Sequence, residues 1–175
     1  MNFLQKKFLL EKNIKKLFPC ELIKYCYAYG SAVIPQKDNK GKMIDLFFIV
    51  DDLEKFHKEN LRVNHHHYSN LSKHFGNGKI IEVNKQGTCV YYNPNIKLCD
   101  DILIKYGVMS YSDFIFKLKN WDNLFVAGRF HKPVSCIELN TRENKEDINE
   151  INEVNDLLYK NRKSAVIICI TTFIL

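Results

Sequence analysis

The chain has 175 residues, of which 46% are hydrophobic, 26% charged and 13% aromatic. This length suits one domain with an ordinary core, and the apolar content excludes a disordered chain. With only 7 glycines and 4 prolines, collagen-like and low-complexity classes are excluded as well. The formal net charge of +6 favours anionic partners, and nucleotides, nucleic acid and acidic lipid surfaces all stay open at this point.

Cysteine spacing and hydropathy further restrict the class of protein that this sequence can encode. The 6 cysteines show neither a C-x-x-C pair nor zinc-finger spacing, which predicts reduced thiols in a reducing compartment. No apolar run reaches the roughly 20 residues that a membrane-spanning helix needs. The sequence therefore predicts a protein that can lie on a membrane but not cross one.

The chain begins with a lysine-rich, amphipathic segment. Its apolar side chains fall roughly on one helical stripe, which predicts a helix that ends before Pro19. Two interpretations follow. The segment is either the first helix of the domain or a mitochondrial presequence, although presequences favour Arg and Ser, which it lacks.

Two strands and a loop come next. Residues 22–30 (LIKYCYAYG) are aromatic and apolar and end on glycine, which predicts a buried strand running into a turn. Residues 35–42 are polar and predict a loop. Residues 43–50 (MIDLFFIV) form a continuous apolar, β-branched and aromatic run, which is the clearest strand signal in the chain.

The rest of the chain alternates helical and strand patterns. Helices are predicted at 52–60, 64–75, 111–126 and 143–163, and strands at 79–83, 87–92, 102–109 and 134–139. The stretch 140–156, rich in Asn and Glu, is the only plausible boundary, so we expect one domain over 1–139 and the beginning of a helical second domain over 140–175. Because the chain stops inside the apolar run 165–175, we also expect a C-terminally truncated protein.

The most informative feature is a strand followed by Tyr29-Gly30-Ser31, a loop, and a second strand that carries Asp45. This layout is typical of the nucleotidyltransferase fold. Gly30 lets the backbone approach a triphosphate closely, and the amide and hydroxyl of Ser31 can donate to phosphate oxygens. Asp45 can hold a magnesium ion that bridges those phosphates, because hard cations take oxygen ligands. The alternative is a common Gly-Ser turn beside an ordinary edge-strand carboxylate.

One departure concerns the second metal-binding carboxylate, which most nucleotidyltransferases carry two residues further along the strand. That position is Phe47 here. Asp51 shares the strand-face parity of Asp45 but lies roughly 20 Å away along an extended strand. Any second protein ligand must come from elsewhere, and the candidates are Glu138 and a residue absent from this chain.

Several long motifs occur together between about Phe18 and Ala165. They are AYGSAV at 28–33, MIDLFFIVDD at 43–52, FHKENLRVNHHHYSNL at 56–71, VYYNP at 90–94, IKYGVMS at 104–110, WDNLFVAGRFHKPV at 121–134 and NRKSAV at 161–166. In these motifs and in their order, the sequence resembles the mitochondrial phosphatidate cytidylyltransferases, the translocator-assembly-and-maintenance family that makes CDP-diacylglycerol.

The resemblance implies an α+β fold of the nucleotidyltransferase (polymerase-beta-like) type, with a mixed sheet followed by the start of a helical domain. It implies the transfer of CMP from CTP to phosphatidic acid with Mg²⁺ as cofactor, which yields pyrophosphate and CDP-diacylglycerol for cardiolipin synthesis. It also implies peripheral attachment to an anionic membrane, on the matrix side of the mitochondrial inner membrane, and no nucleic-acid partner. The oligomeric state stays open.

The resemblance also implies roles for individual residues. The implied catalytic residues are Asp45, Ser31 and Gly30, with Asp45 as metal ligand, and the implied substrate-binding residues are Tyr29, Lys105, Tyr106, Gly107, Arg129 and Lys132. From the residues alone, Lys105 could neutralise triphosphate charge or be a solvated strand end. Arg129 and Lys132 suit phosphate groups but could equally form a basic surface turn.

Other aromatic and titratable residues receive weaker predictions. His65, His66 and His67 would point about 100° apart on a helix, so a shared zinc ion is not expected. His57 is predicted on a helix surface. Tyr91 and Tyr92 are predicted as core and rim aromatics, one of which could stack on cytosine.

Two alternatives to the cytidylyltransferase function stay open. The first is a nucleotidyltransferase that acts on RNA or a small molecule, with the same Gly-Ser turn and Asp45 but another acceptor. The second is an inactive truncated transferase or an assembly factor.

Overall fold

A computed structural model of the chain describes residues 3–30, 43–99, 102–122, 124–139 and 145–174. The predicted loop at 35–42 and Ser31 lie outside the described residues.

The protein has an α+β architecture built on a mixed, five-stranded sheet. The strands are β1 (Ile23–Tyr29), β2 (Ile44–Val50), β3 (Tyr91–Cys99), β4 (Ile102–Ser110) and β5 (Ser135–Ile137). Their order is β3-β4-β2-β1-β5; β2 and β4 are parallel, and the other neighbouring pairs are antiparallel. The α+β class and the mixed sheet are therefore confirmed.

Helices cover both faces of this sheet. They are α1 (Phe3–Leu17), α2 (Leu53–Val63), α3 (Asn70–Lys85), α4 (Tyr111–Asn120), α5 (Leu124–Phe130) and α6 (Lys145–Ile174). Side chains of β2 alternate between two cores: Leu46 and Phe48 pack on the side of α1 and α2, whereas Phe47 and Ile49 pack on the side of α4 to α6. Because both faces of the sheet are covered by helices, the side chains on both sides of β2 are apolar. This explains why the strand pattern of β2 is so clear in the sequence.

Two elements in the middle of the chain differ from their predictions. The strand predicted at 79–83 is wrong, because these residues belong to α3, where Ile80 is buried. A brief β-branched run cannot be told from one buried turn of helix by its periodicity. The helix predicted over 111–126 is interrupted at Trp121, whose left-handed backbone (φ 49°) ends α4.

Both ends of the described chain are helical, as predicted, but the last helix continues past its predicted end at residue 163. The first helix, α1, ends at Leu17, two residues before Pro19, and buries Leu10 and Ile14 against the sheet. The long helix α6 runs on to Ile174, and Asn161 near its middle donates from Nδ2 to the carbonyl of Ala127 (3.0 Å). Among the described residues, no helix is both long and apolar enough to cross a membrane. The boundary at 140 stays a prediction.

A buried polar network lies under α2, and it corrects the prediction for His57. This residue is fully buried, and its Nδ1 lies 3.0 Å from the hydroxyl of Tyr68. Asn60 donates from Nδ2 to the hydroxyls of both Tyr68 (2.9 Å) and Tyr106 (3.0 Å). Because this polar side of α2 faces the core, a pattern search for apolar positions places His57 on the wrong side.

Burial lowers the pKa of His57 from its ordinary 6.5 to about 3. Between these values the unfolded chain binds a proton that the folded chain does not. The stability due to the neutral ring is therefore complete above pH 6.5 and is lost as the pH falls, by up to about 1.4 kcal/mol per pH unit. We expect the free energy of unfolding, measured in urea from pH 7 to 5, to fall steadily. His57→Gln, which does not titrate, should show a shallower slope, and a slope as steep as that of the unaltered chain would contradict this account.

Candidate active site

Asp45 lies near the start of β2, between two neighbouring strands. It pairs with Tyr29 of β1 on one side and with Lys105 of β4 on the other. Residues paired across strands point to the same face of a sheet, so the three side chains lie side by side. This face is the one that α4, α5 and α6 cover.

Gly30 follows β1 directly and adopts a left-handed backbone, with φ of +78°. A Cβ placed on this residue would lie 3.1 Å from Oδ2 of Asp45. The backbone at Gly30 therefore passes close to the carboxylate, and this position would be strained for any other residue. The prediction that Gly30 and Asp45 belong to one site is consistent with this geometry.

The Asp45 carboxyl is half-buried and lies in the field of Lys105 and Arg129. Burial raises its pKa above the ordinary value, and the two cations oppose that rise. A carboxylate facing two positive side chains is a suitable place for a group that carries both a metal ion and several negative oxygens.

Arg129 is held by α5 and by two aromatic residues. Its guanidinium carbon lies 3.6 Å from the ring centroid of Phe125, and its Nη1 donates to the Phe125 carbonyl. A hydrogen bond from Arg129 to Tyr29 opposes the rise that burial causes in the pKa of the Tyr29 phenol. Phe125 was not predicted from the sequence, although its spacing of four residues from Arg129 places both on one side of a helix.

The two adjacent tyrosines of β3 separate onto opposite faces. Tyr91 packs against His57 and Tyr68, whereas the Tyr92 hydroxyl lies 3.4 Å from that of Tyr29. Burial raises the pKa of the Tyr92 phenol far above its ordinary value. Tyr29 and Tyr92 are therefore neutral near pH 7. Of the two β3 tyrosines, Tyr92 is the one that borders the site.

Other predicted site residues lie elsewhere. Tyr106 is fully buried on the opposite face of the sheet, where His67 Nδ1 lies 3.1 Å from its hydroxyl. Lys132 is exposed just beyond the end of α5. The structure therefore brings Tyr29, Gly30, Asp45, Lys105, Gly107 and Arg129 together, but it does not place Tyr106 with them.

The candidate second ligand, Glu138, does not approach Asp45. By strand register it adjoins Tyr25, which is four residues, or about 13 Å, along β1 from Tyr29. Asp51 lies beyond the other end of β2 and forms an ion pair with Lys24 (3.2 Å). In the described ranges, no three His, Cys, Asp or Glu side chains are grouped to hold a metal ion.

A single carboxylate still fits magnesium. Mg²⁺ commonly binds through one or two protein carboxylates, with substrate phosphates and water as its other ligands. Asp45 provides a hard oxygen ligand, while Lys105 and Arg129 provide donors and positive charge for phosphate oxygens. Asp45, Lys105 and Arg129 together suit a metal-bound polyphosphate better than a metal bound by protein alone.

The chain is thus an α+β protein with a carboxylate near the start of the central strand of a mixed sheet, in the field of two cations. The family model described as "Phosphatidate cytidylyltransferase, mitochondrial" matches residues 10–173, and the chain belongs to this family.

Curated relatives carry the same description. The chain is 40% identical to the human phosphatidate cytidylyltransferase over 93% of its own length and 34% of the relative's. It is 43% identical to the rat protein over 89% of this chain and 44% of the relative, and 42% identical to the bovine protein over 93% and 46%. The chain therefore spans between a third and a half of the length of these relatives.

Proposed function

We propose that this chain carries the CTP-binding site of a phosphatidate cytidylyltransferase, which transfers CMP from CTP to phosphatidic acid. The observation that carries the proposal is the placement of Asp45 beside Lys105 in the strand register, with Arg129 contacting the same Tyr92 ring as Lys105. Membership of a family whose curated relatives bear this name supports it. The finer fold assignment, a nucleotidyltransferase of the polymerase-beta type, is part of the same proposal, and the mixed sheet and the left-handed backbone of Gly30 support it.

In the proposed reaction a phosphate oxygen of phosphatidic acid attacks the α-phosphorus of CTP. A new P–O bond forms there, the bond to the β-phosphate oxygen breaks, and pyrophosphate leaves with that electron pair. Asp45 would hold a Mg²⁺ ion, which when bound neutralises and orients the triphosphate. Lys105 and Arg129 would donate to the oxygens on which negative charge accumulates.

No strong general base is required in this scheme. A phosphate monoester has a second pKa of about 6, so the attacking oxygen is already an anion near neutral pH. This agrees with a site that places one carboxylate beside neutral tyrosines. Ser31, as a hydrogen-bond donor to the triphosphate, stays a prediction.

Acceptor competition tests the function. Purified protein is given labelled CTP and Mg²⁺ with vesicles containing phosphatidic acid, with diacylglycerol vesicles, or with an RNA oligonucleotide. We expect a labelled lipid only with phosphatidic acid. Labelled RNA would favour the transferase with another acceptor, and the absence of any product or CTP binding would favour the inactive protein or assembly factor.

We further propose that the protein attaches peripherally to an anionic membrane, in mitochondria, on the matrix side of the inner membrane. The net charge of +6 and the lysine-rich α1 support electrostatic attachment. Each lysine near an anionic surface contributes about 1 kcal/mol, and salt screens this attraction. Binding to anionic vesicles, measured by co-sedimentation, should therefore fall sharply between low salt and roughly 0.5 M salt. Retention that does not depend on salt would indicate hydrophobic insertion instead.

A further inference from the structure

The ring of Tyr92 lies across Gly107. These residues of β3 and β4 are paired, so their positions share one face of the sheet. A Cβ on Gly107 would lie 2.6 Å from Cε1 of Tyr92 and 2.9 Å from Cγ1 of Val90, closer than real side chains approach. Gly107 therefore leaves the space that the Tyr92 ring occupies, and its role is steric.

From this position the ring extends toward the middle of the sheet. Strands β3 and β1 are separated by β4 and β2, a distance of about 14 Å at the usual strand spacing. The hydroxyls of Tyr92 and Tyr29 nevertheless lie 3.4 Å apart, and the Phe47 ring of β2 lies 6.2 Å and 6.0 Å from the two rings. Tyr29, Phe47 and Tyr92 together form an aromatic floor that borders Asp45.

Both cations of the site contact this floor. Nζ of Lys105 lies 4.6 Å from the ring centroid of Tyr92, and the guanidinium carbon of Arg129 lies 6.0 Å from the same centroid. A cation within about 6 Å of an aromatic ring is attracted to its negative face. Tyr92 is thus a contact that Lys105 and Arg129 share.

We propose that Tyr92 is a positioning residue that holds Lys105 and Arg129 as a pair for the oxygens of a polyphosphate, and that position 107 is glycine so that the ring can lie there. The identity of the ligand, a nucleoside triphosphate or its pyrophosphate product, rests on the proposed function. The placement of Lys105 by the Tyr92 ring does not depend on the proposed function.

The first experiment measures the dissociation constants of Mg²⁺-bound CTP and pyrophosphate for a set of variants, by calorimetry. Tyr92→Leu removes the ring face and should raise both constants at least tenfold, whereas Tyr92→Phe keeps the face and should stay within about threefold. Tyr91→Leu is the matched control, because Tyr91 packs on the other face of the sheet. It should lower the melting temperature without changing either constant.

Gly107→Ala tests whether Gly107 and Tyr92 both act through the position of the Tyr92 ring. The added methyl group must displace Tyr92, so the variant should weaken CTP binding about as much as Tyr92→Leu. If the ring is the common cause, the double variant should bind CTP no more weakly than either single variant. Additive losses would overturn the steric link between Gly107 and Tyr92.

A second readout requires no ligand. In protein with ¹³C-labelled lysine, the ε-methylene signal of Lys105 should be shifted upfield by the ring current of Tyr92. The shift should persist in Tyr92→Phe and disappear in Tyr92→Leu. Protein that shows this pattern but does not bind CTP would contradict the proposed function alone. An unshifted Lys105 signal, or undiminished CTP binding by a folded Tyr92→Leu variant, would overturn the positioning role.

Discussion

Asp45→Ala should reduce the turnover of CTP by at least about a hundredfold, which is the usual effect of removing one principal charge-stabilising group from an active site. The proposed metal ion has Asp45 as its protein ligand, and nothing else in the described part of the cluster supplies an oxygen anion. The fold should survive, because the half-buried carboxyl already carries a desolvation penalty that raises its pKa. Initial rates with phosphatidic acid and melting temperatures check both expectations.

Asp51→Ala is the matched control for Asp45→Ala. It removes the same charge beyond the other end of β2, where Asp51 is paired with Lys24. This control should keep nearly full activity. If Asp45→Ala kept more than about a tenth of the original rate, the residue would not be the principal metal ligand.

Lys105→Met should lower kcat/KM for CTP by roughly ten- to a hundredfold, because it removes a charged donor while keeping most of the side-chain length. Lys105 adjoins Asp45 in the strand register, and its Nζ lies over Tyr92 at 4.6 Å. The loss should be larger for CTP than for phosphatidic acid if the lysine faces the triphosphate. Steady-state kinetics with each substrate varied in turn measures this difference.

Lys97→Met separates the local effect of Lys105→Met from a change in overall charge. Lys97 is exposed on β3 and adjoins Leu103 in the strand register, so this variant also lowers the net charge by one but leaves the lysine beside Asp45 in place. We expect its kcat/KM for CTP to stay close to that of the unaltered chain. Equal losses in the two variants would mean that Lys105 acts only through bulk charge.

The central strands and the position of Asp45 could be predicted because their signals are local. β2 is apolar except for Asp45, and β1 is mostly aromatic and apolar up to the residue before Gly30, so both strands can be predicted from local composition. The α+β class was implied by the resemblance to the family, and the mixed sheet confirms it. The predicted strand at 79–83 failed because a short β-branched run fits one buried turn of α3 equally well.

The surroundings of Asp45 depend on contacts that sequence spacing does not reveal. Tyr92 enters the site from β3, two strands away from Asp45, because Gly107 on the intervening strand leaves room for its ring. Tyr106 is adjacent to Lys105 in sequence but points to the opposite face, since side chains alternate along a strand. His57 was misplaced for a related reason: it is a polar residue on the buried side of α2.

The most direct test of the account follows the two ends of the triphosphate. Purified protein, Mg²⁺ and phosphatidic acid vesicles are incubated with CTP labelled either at the α-phosphorus or at the γ-phosphorus, and the lipid and aqueous phases are counted. The account predicts that the α label enters the lipid as CDP-diacylglycerol and the γ label appears as pyrophosphate, with both signals lost in Asp45→Ala. Transfer of the γ label to lipid, or equal labelling by Asp45→Ala, would contradict it.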